Sequence, residues 1–466
     1  MKKYFFIAIL FVSNSIVSQT IETKWFEPIS YSISSKAEIV KVTKTHLFYF
    51  INNKSSATFY KIDFNGEEKF SKTFSFPNIN YHYIFIQDIV EFNNQFLLIV
   101  KVSTSDRISL MAQKINAAGE IEKDFLMLST VKSSEKSEIE LDFAVSPDKR
   151  NIATVTSNSL SNGEKEKISL AIYDNDLTEI WKNSIVQTKS DRIGTSSEIV
   201  LNDYREIYIL QKSFYNGYYK YNVVSLSPNL SGYKETSLHM DGISPTSLKI
   251  KLNNEQNAVV AGYYTESQLV EKIVTHGCFY VRFNGIDGLS KGYNKFSESQ
   301  FDFGKPTNMQ LLDIVFDSYG VVILVGKTGI KSFSEVAGSM GSEEVPPYNK
   351  GLSINSFLEN GNPGYASCYG YFAPDEEDKL AIFSSATVLN DNKPFVLHNE
   401  LGPTQYELSC KSVSYDKFKN SFKSNYVDVE QPFVFYPSMI SKVEEDFYVV
   451  ASITPNQLRF GVLKIK

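Results

Sequence analysis

Histidines, cysteines and clustered acids are the residues of this chain that could do chemistry, and their spacing matches no known centre. They include His46, His82, His239, His276, His398, Cys278, Cys368 and Cys410. No two of the histidines and cysteines have the spacing of zinc ligands. An odd cysteine count leaves at least one thiol unpaired, and buried unreactive thiols are favoured over a Cys368–Cys410 bridge. We therefore predict no metal centre and no cofactor.

Two acidic turns begin like calcium-binding loops but do not continue as such. A calcium loop needs oxygen ligands at alternate positions and an acidic twelfth residue. Counted from Asp63 the twelfth residue is Phe74, and counted from Asp174 it is Ile185. Both segments are therefore interpreted as plain hairpin turns.

The elements that must position these residues repeat along the chain. An apolar run, preceded by a polar turn and followed by a hairpin, recurs at 46–51, 96–102, 151–157, 206–212, 258–264, 321–327, 394–399 and 447–452. A repeat of roughly 50–60 residues that cannot bury its own faces is typical of a β-propeller, in which each repeat forms one four-stranded blade. We predict an all-β propeller of eight blades, or of seven if the irregular sixth repeat is misread.

Turn residues mark the hairpin between the third and fourth strands of seven repeats. Asn, Asp and Gly suit these turns because they accept a positive φ or bond their own backbone. The hairpins are Asp63–Gly66, Asn116–Gly119, Asp174–Asp176, Ser227–Asn229, Asn284–Gly285, Asn360–Gly361 and Tyr415–Lys417. In the second repeat the four strands are placed at 86–92, 96–102, 110–115 and 121–126.

One turn carries a family resemblance. The segment Ser146–Ala153, which reads SPDKRNIA, resembles the turn between the first two strands of TolB-like and WD-type propeller repeats. Lys149 stands where that turn usually has glycine. The resemblance covers one turn of one blade, so it implies the architecture and no binding residues.

The last repeat lacks a fourth strand, since the chain stops after the third strand at Arg459–Lys466. The segment Ile21–Ile29 has the right length to supply it, and its Trp25 matches Trp181 in the fourth strand of the third repeat. Closure by the two terminal strands leaves no open sheet edge. We predict that these two segments pair within one blade.

The start of the chain has the pattern of a bacterial secretory signal. Two lysines precede the apolar stretch Tyr4–Val12, and small residues lead to Gln19. The apolar core is shorter than the roughly 20 residues of a membrane span. We predict a signal peptide over 1–19, a single propeller domain over 20–466, and export to the periplasm or the cell surface with no integral membrane segment in the mature chain.

Charge argues against a nucleic-acid partner. The net charge is −6, and about −8 without the two lysines of the signal. No cluster of Lys or Arg interrupts this acidic pattern, so the surface repels phosphate backbones. Nucleic acid is not expected to bind.

The longest interruption of the repeat is the loop 328–350, between the second and third strands of the sixth repeat. Loops of this length in compact folds are either functional or disordered. Its candidate contact residues are Val336, Met340, Glu343, Glu344, Val345 and Tyr348. We predict a non-enzymatic module that contacts a protein partner through this loop or through one face of the ring.

Composition indicates what kind of partner to expect. The bias toward Lys, Asn, Ile, Phe and Tyr resembles exported proteins of Bacteroidota, which implies an outer-membrane protein complex such as the type 9 secretion translocon. The alternative is a carbohydrate- or peptide-processing enzyme with an axial active site, although the chain has no Gly-x-Ser-x-Gly elbow. Converging acids with perturbed pKa values in a deep pocket would favour the enzyme. A shallow aromatic face or a protruding loop would favour the module.

Overall fold

The structure is a computed structural model that describes nineteen ranges of the chain: 21–32, 35–53, 56–76, 83–122, 124–132, 139–159, 165–188, 198–215, 218–238, 243–266, 274–286, 288–296, 307–329, 350–371, 385–390, 393–401, 408–416, 421–429 and 433–465. Within them every regular element is a β-strand. No helix in these ranges has the length and apolar character to cross a bilayer.

Eight antiparallel sheets form eight blades, and in blades 1 to 7 the strands follow sequence order from the inner to the outer strand. Blades 1 to 4 comprise β3 (Lys36–Val42), β4 (His46–Asn52), β5 (Ser56–Asp63) and β6 (Glu68–Ser75); β7 (Tyr83–Phe92), β8 (Gln95–Ser103), β9 (Arg107–Ile115) and β10 (Leu126–Lys132); β11 (Ile139–Val145), β12 (Ile152–Ser159), β13 (Lys165–Tyr173) and β14 (Glu179–Thr188); and β15 (Glu198–Leu201), β16 (Ile207–Tyr215), β17 (Tyr218–Leu226) and β18 (Lys234–Ser237).

Blades 5 to 8 continue the pattern, and the last one is completed from the start of the chain. They comprise β19 (Ser244–Leu252), β20 (Ala258–Thr265), β21 (Gly277–Asn284) and β22 (Gly288–Lys295); β23 (Thr307–Phe316), β24 (Val322–Gly329), β25 (Lys350–Phe357) and β26 (Pro363–Tyr371); β27 (Ser385–Asn390), β28 (Lys393–Leu401), β29 (Leu408–Asp416) and β30 (Ser421–Val427); and β31 (Val434–Glu444), β32 (Phe447–Ile453), β33 (Gln457–Ile465) and β1 (Ile21–Trp25), with β2 (Ile29–Ser30) also on β33.

The second strand of each blade coincides with one of the eight predicted apolar runs, which confirms the repeat. These strands are uninterruptedly apolar because a neighbouring blade covers each of their two faces. In β4, Leu47 and Tyr49 pack toward blade 8, whereas Phe48 and Phe50 pack toward blade 2. A separate hydrophobic core of this kind joins every pair of successive blades, including blades 8 and 1. The ring is therefore closed, with eight blades.

The predicted pairing of the two ends is confirmed. Strand β1 runs antiparallel to β33, with Ile21 opposite Ile465, and β2 continues along the same strand. Trp25 donates its indole N–H to Asp428 O over 3.0 Å, and the Arg459 guanidinium lies 4.7 Å from the centre of the indole ring. The first described strand thus supplies the outer strand of the last blade.

One predicted strand is wrong in position. The outer strand of blade 2 was expected at 121–126 but runs from Leu126 to Lys132. Ile121 makes only an isolated bridge to Ile115, after which the chain leaves the sheet and returns at Leu126, opposite Ala112. Outer strands are half exposed and mostly polar, so no apolar run marks where they begin.

The predicted third-to-fourth-strand hairpins are confirmed where the structure describes them. In the first three blades the turn opens with Asp63, Asn116 or Asp174, whose side-chain oxygen accepts the N–H groups two and four residues on. In the two turns that begin like calcium loops, Asp63 and Asp174 therefore stabilise the turn through these hydrogen bonds. The hairpin interpretation is therefore correct.

The prediction of buried thiols is confirmed for two of the three cysteines. None of the three forms a disulfide; Cys278 and Cys410 are buried, whereas Cys368 is partly exposed. Burial raises the pKa of both buried thiols, which keeps them protonated and unreactive.

Candidate functional site

One position of the inner strand carries an ionisable side chain in blades 1 to 6. In each of these blades, the position pairs with a residue of the second strand. That residue comes three residues after the first buried residue of the second strand. The pairs are Glu38 with Phe50, Asp88 with Ile99, Asp142 with Val155, Glu198 with Leu210, Lys249 with Ala261 and Asp313 with Val325. Inner strands of successive blades contact one another around the axis. We call these six residues the axial belt.

The three aspartates of the axial belt share one local geometry. Each Oδ1 accepts the N–H of the following residue, at 2.7 Å for Asp88 and 2.8 Å for Asp142 and Asp313. An inner strand pairs on one side only, so N–H groups on its axial edge lack a strand partner. The aspartate provides the missing acceptor, and this fixes its carboxyl group beside the axis.

Lysines neutralise one side of the axial belt. Lys251 Nζ lies 3.0 Å from Asp313 Oδ1, and Lys249 Nζ donates to Leu312 O over 2.8 Å. The remaining acids occupy blades 1 to 4, where Glu38 pairs with Lys36 at 2.5 Å. We call Glu38, Asp88, Asp142 and Glu198 the acidic arc.

Three carboxyl groups of the acidic arc have raised pKa values. Burial, followed by the negative charge of Glu38, raises the pKa of Asp88 to about 7. Burial also raises the pKa of Asp142. It raises that of Glu198 as well, although the N–H of Ile250 donates to this carboxylate. A positively charged group placed among these three carboxyl groups would stabilise their ionised forms. The ionised carboxylates would in turn bind the positive group more tightly.

A cavity of about 390 Å³ opens beside the acidic arc between blades 8, 1 and 2. Glu38, Lys41, Glu91 and Ser441 contribute its polar lining, and Lys41 pairs with Glu91 at 2.5 Å. No group of three His, Cys, Asp or Glu side chains in the described ranges could hold a metal ion.

The end of the ring that bears the turns between first and second strands presents exposed tyrosines, and we call it the turn face. Tyr204 is 68% exposed and Tyr319 is 71% exposed, at equivalent places of two turns. Asn202 and Asp317 open these turns by accepting the N–H of the tyrosine two residues on. Asn202 comes four residues after Glu198 along the chain, so Glu198 of the acidic arc lies about 13 Å below the turn face.

A polar cavity of about 490 Å³ lies on the turn face beside Tyr204, between blades 3 and 4. Its charged lining is Asp148, Arg150, Asp174, Asp203 and Arg205. The N–H of Asp148 donates to Asp203 Oδ1 over 2.9 Å, so the two blades are tied together here. The turn face thus presents exposed tyrosines and, between blades 3 and 4, a cluster of charged side chains.

Of the residues singled out from the sequence, the six candidates of the loop 328–350 lie outside the described ranges, as do His82 and His239. His398 is 1% exposed and lies 3.3 Å from Glu400, whose other oxygen pairs with Lys411 at 2.5 Å. Burial would raise the pKa of Glu400, but the hydrogen bonds from His398 and Lys411 outweigh it and lower that pKa. We call these three residues the buried triad.

The axial belt was not predicted from the sequence. A signal was present: an Asp, Glu or Lys recurs four or five residues before the turn that joins the first and second strands. Single charged residues in polar stretches are common, so this recurrence is meaningful only once the blades are aligned by strand pairing.

Substituting Asp88→Asn should abolish one component of the pH dependence of stability. The pKa of about 7 in the folded state exceeds the unfolded value near 4, so the folded state binds this proton more tightly. Ionisation therefore lowers the free energy of unfolding as pH rises from about 4 to about 7. Above pH 7 the variant should be more stable than the parent by up to about 4 kcal/mol, because the two pKa values differ by about three units; urea unfolding at several pH values measures this difference.

The control for this experiment is Asp124→Asn, at an exposed aspartate outside the axial belt. Its stability should follow that of the parent at every pH. A constant difference between Asp88→Asn and the parent from pH 4 to pH 9 would show that Asp88 titrates normally.

Fold and site define an eight-bladed propeller with an acidic axial belt. No protein-family model and no curated protein matches the sequence. Among solved structures, prolyl oligopeptidase B from Galerina marginata is similar, at 10% identity and a TM-score of 0.43, with 90% of this chain covered. The chain covers only 55% of that protein.

Two further solved structures are similar. Polysaccharide lyase Uly1 has 9% identity and a TM-score of 0.42, with 81% of this chain and 89% of the lyase covered. The β-propeller domain of the Trilobed protease from Pyrococcus furiosus has 10% identity and a TM-score of 0.37, with 82% and 94% covered. The activities of these proteins are their own, and no residue role carries over to this chain.

Proposed function

We propose that the protein is a non-enzymatic interaction module whose turn face and acidic arc receive a positively charged segment of a partner protein. The observation that carries the proposal is the recurrence of ionisable residues at one register position of six inner strands, with four of the five acids on blades 1 to 4.

Electrostatics and surface chemistry support this function together. Acids beside a low-dielectric wall attract and orient a basic segment during approach. Tyr204 and Tyr319 offer exposed aromatic area with few rotatable bonds, which is typical of residues that contribute most to binding. A basic side chain that enters from the turn face would pass these tyrosines before it reaches Asp142 and Glu198.

The proposal includes export and an envelope partner. The signal-like start of the chain and its Bacteroidota-like composition support a location in the periplasm or at the cell surface. An outer-membrane complex such as the type 9 secretion translocon is the partner we propose, with this protein as a soluble subunit.

Binding of a basic peptide tests the module directly. Fluorescently labelled decalysine should bind the protein, and the double variant Asp142→Asn/Glu198→Gln should bind it at least about ten-fold more weakly, since each lost charge contact contributes around 1 kcal/mol or more. Fluorescence anisotropy at two salt concentrations measures both the affinity and its expected decline with salt.

The matched control Glu27→Gln/Asp124→Asn removes the same charge from exposed positions away from the axis. It should bind decalysine within about two-fold of the parent. Equal weakening by the two double variants would mean that only the net charge matters, and the acidic arc would then not be the site.

One observation supports the alternative that the protein is an enzyme. Asp88, with a pKa of about 7, lies beside Glu38, and a carboxyl group that titrates near neutral pH can serve as a general acid or base. Glycan or peptide hydrolysis that Asp88→Asn abolishes, while decalysine binding is retained, would establish the enzyme in place of the module.

A further inference from the structure

A third cavity, of about 620 Å³, lies between the outer strand of blade 2 and the face of blade 3. One wall is β10 from Met127 to Lys132, and the other is made by β12, β13 and β14. This volume lies within the range of small-molecule sites, about 300–1,000 Å³. Leu128, Tyr173 and Leu177 of its lining also belong to the hydrophobic core between blades 2 and 3, so the cavity adjoins that core.

Threonine replaces a hydrocarbon side chain at the floor of this cavity. Thr154 lies two residues after the first buried residue of β12, which is the second strand of blade 3. The equivalent residues of the other blades are all apolar members of an inter-blade core: Tyr49, Leu98, Ile209, Val260, Leu324, Val396 and Val450. Thr154 is 1% exposed and its neighbour Thr156 is 3% exposed. Thr154 hydrogen-bonds the side chain of Tyr173, and Thr156 donates to Ser169 O over 3.4 Å. Because a hydroxyl group both donates and accepts, each retains capacity for a further hydrogen bond to a polar ligand.

Positive charge and further hydroxyl groups complete the lining. Ser129, Thr130 and Ser169 contribute hydroxyls, and Lys132, Lys167 and Lys182 contribute ammonium groups. Glu179 is the acid of the lining, and it pairs with Lys182 at 3.3 Å. Among the described residues Lys132 and Lys167 have no acidic partner, in a protein whose net charge is −6.

We propose that this cavity binds an acidic saccharide, in which one sugar unit presents a carboxylate to Lys132 and Lys167 and its hydroxyl groups to Thr154, Thr156 and Ser169. Hydroxyl side chains both donate and accept, which suits a ligand whose own hydroxyls do the same. An acidic peptide fits less well. It would add to the edge of β10, and there Leu128 O already accepts the phenol of Tyr173.

Val155, the strand partner of Asp142, packs toward blade 4, whereas Thr154 and Thr156 line this cavity on the opposite face of blade 3, so the two sites can be tested separately. Calorimetric titration of the full chain with tetragalacturonate should show binding, and the neutral tetrasaccharide cellotetraose should bind at least about ten-fold more weakly. Both Thr154→Val, which keeps the shape of the side chain, and Lys167→Gln should weaken tetragalacturonate binding by about five-fold or more. Lys291→Gln, an exposed lysine on the outer strand of blade 5, is the control and should leave it unchanged.

Three outcomes would overturn the site. Equal affinity for the neutral and the acidic tetrasaccharide would remove the role of the lysines. Unchanged affinity of Lys167→Gln for tetragalacturonate would show that the saccharide binds at another place. Because Lys167→Gln is a surface substitution that should leave folding intact, this outcome is decisive even if Thr154→Val fails to fold. Tighter binding of hexaglutamate than of tetragalacturonate would assign the cavity to an acidic peptide. None of these results bears on decalysine binding at the axis.

Discussion

Deleting residues 21–30 should destabilise the whole ring and not only remove one edge strand. The deletion removes β1 and β2, exposes the whole edge of β33, and takes Phe26, which is 7% exposed, out of the core between blades 8 and 1. Loss of one buried aromatic side chain costs about 3–5 kcal/mol, and Trp25 is lost as well. We expect a melting temperature at least about 10 °C lower, measured by circular dichroism.

A point substitution in the same strand distinguishes the effect of losing ring closure from the effect of any sequence change near the start of the chain. Lys24→Ala alters an exposed residue of β1 and should shift the free energy of unfolding by less than about 0.5 kcal/mol. If the deletion variant melts at the temperature of the parent, with the same cooperativity, then the β1–β33 pairing contributes nothing to closure.

The second large effect is expected from the buried triad. Glu400→Leu removes the carboxylate that pairs with Lys411, whose side chain is only 16% exposed. Breaking a buried pair by removing one partner costs about 3–5 kcal/mol, because the other charge stays buried without compensation. Urea unfolding at pH 7 should show this loss as a lower midpoint with an unchanged slope.

The double variant Glu400→Leu/Lys411→Met is the matched control, since it replaces both charges by apolar groups. It should recover most of the stability that the single variant loses. The loss should also depend on pH. The pKa of Glu400 is lower in the folded state, so its contribution is present above the unfolded value near 4.3 and disappears as pH falls through the folded value. A single variant as stable as the parent at pH 7 would show that Lys411 finds water or another partner.

The blades could be predicted from sequence because each second strand is covered on both faces. β20 illustrates this, since all eight of its residues are buried, and such a run stands out in any sequence. Outer strands give no such signal. β6 reads EKFSKTFS and buries a single residue, which is why the comparable outer strand of blade 2 was misplaced.

The axial belt could not be predicted, because its members come together only through the register of the ring. The β-bulge after Glu38 lies between that residue and the turn, whereas the bulges at Asp88 and Asp313 precede those residues. The turn begins five residues after the belt residue in blades 1 and 2 and four residues after it in blades 3 to 6, so a fixed sequence offset does not align all six. The cavity beside Thr154 was missed for a related reason: a threonine in a strand is unremarkable until its seven apolar counterparts are aligned with it.

Closure of blade 8 by β1 also sets the order of events when the protein is made. Ile21 leaves the ribosome among the first residues described here, and its partner Ile465 among the last. At about 5–20 residues per second, synthesis of the intervening chain takes on the order of half a minute or more. During that time the first strand has no partner, and seven blades can form without a closed ring. The nascent protein therefore depends on being kept unaggregated until its final strand arrives.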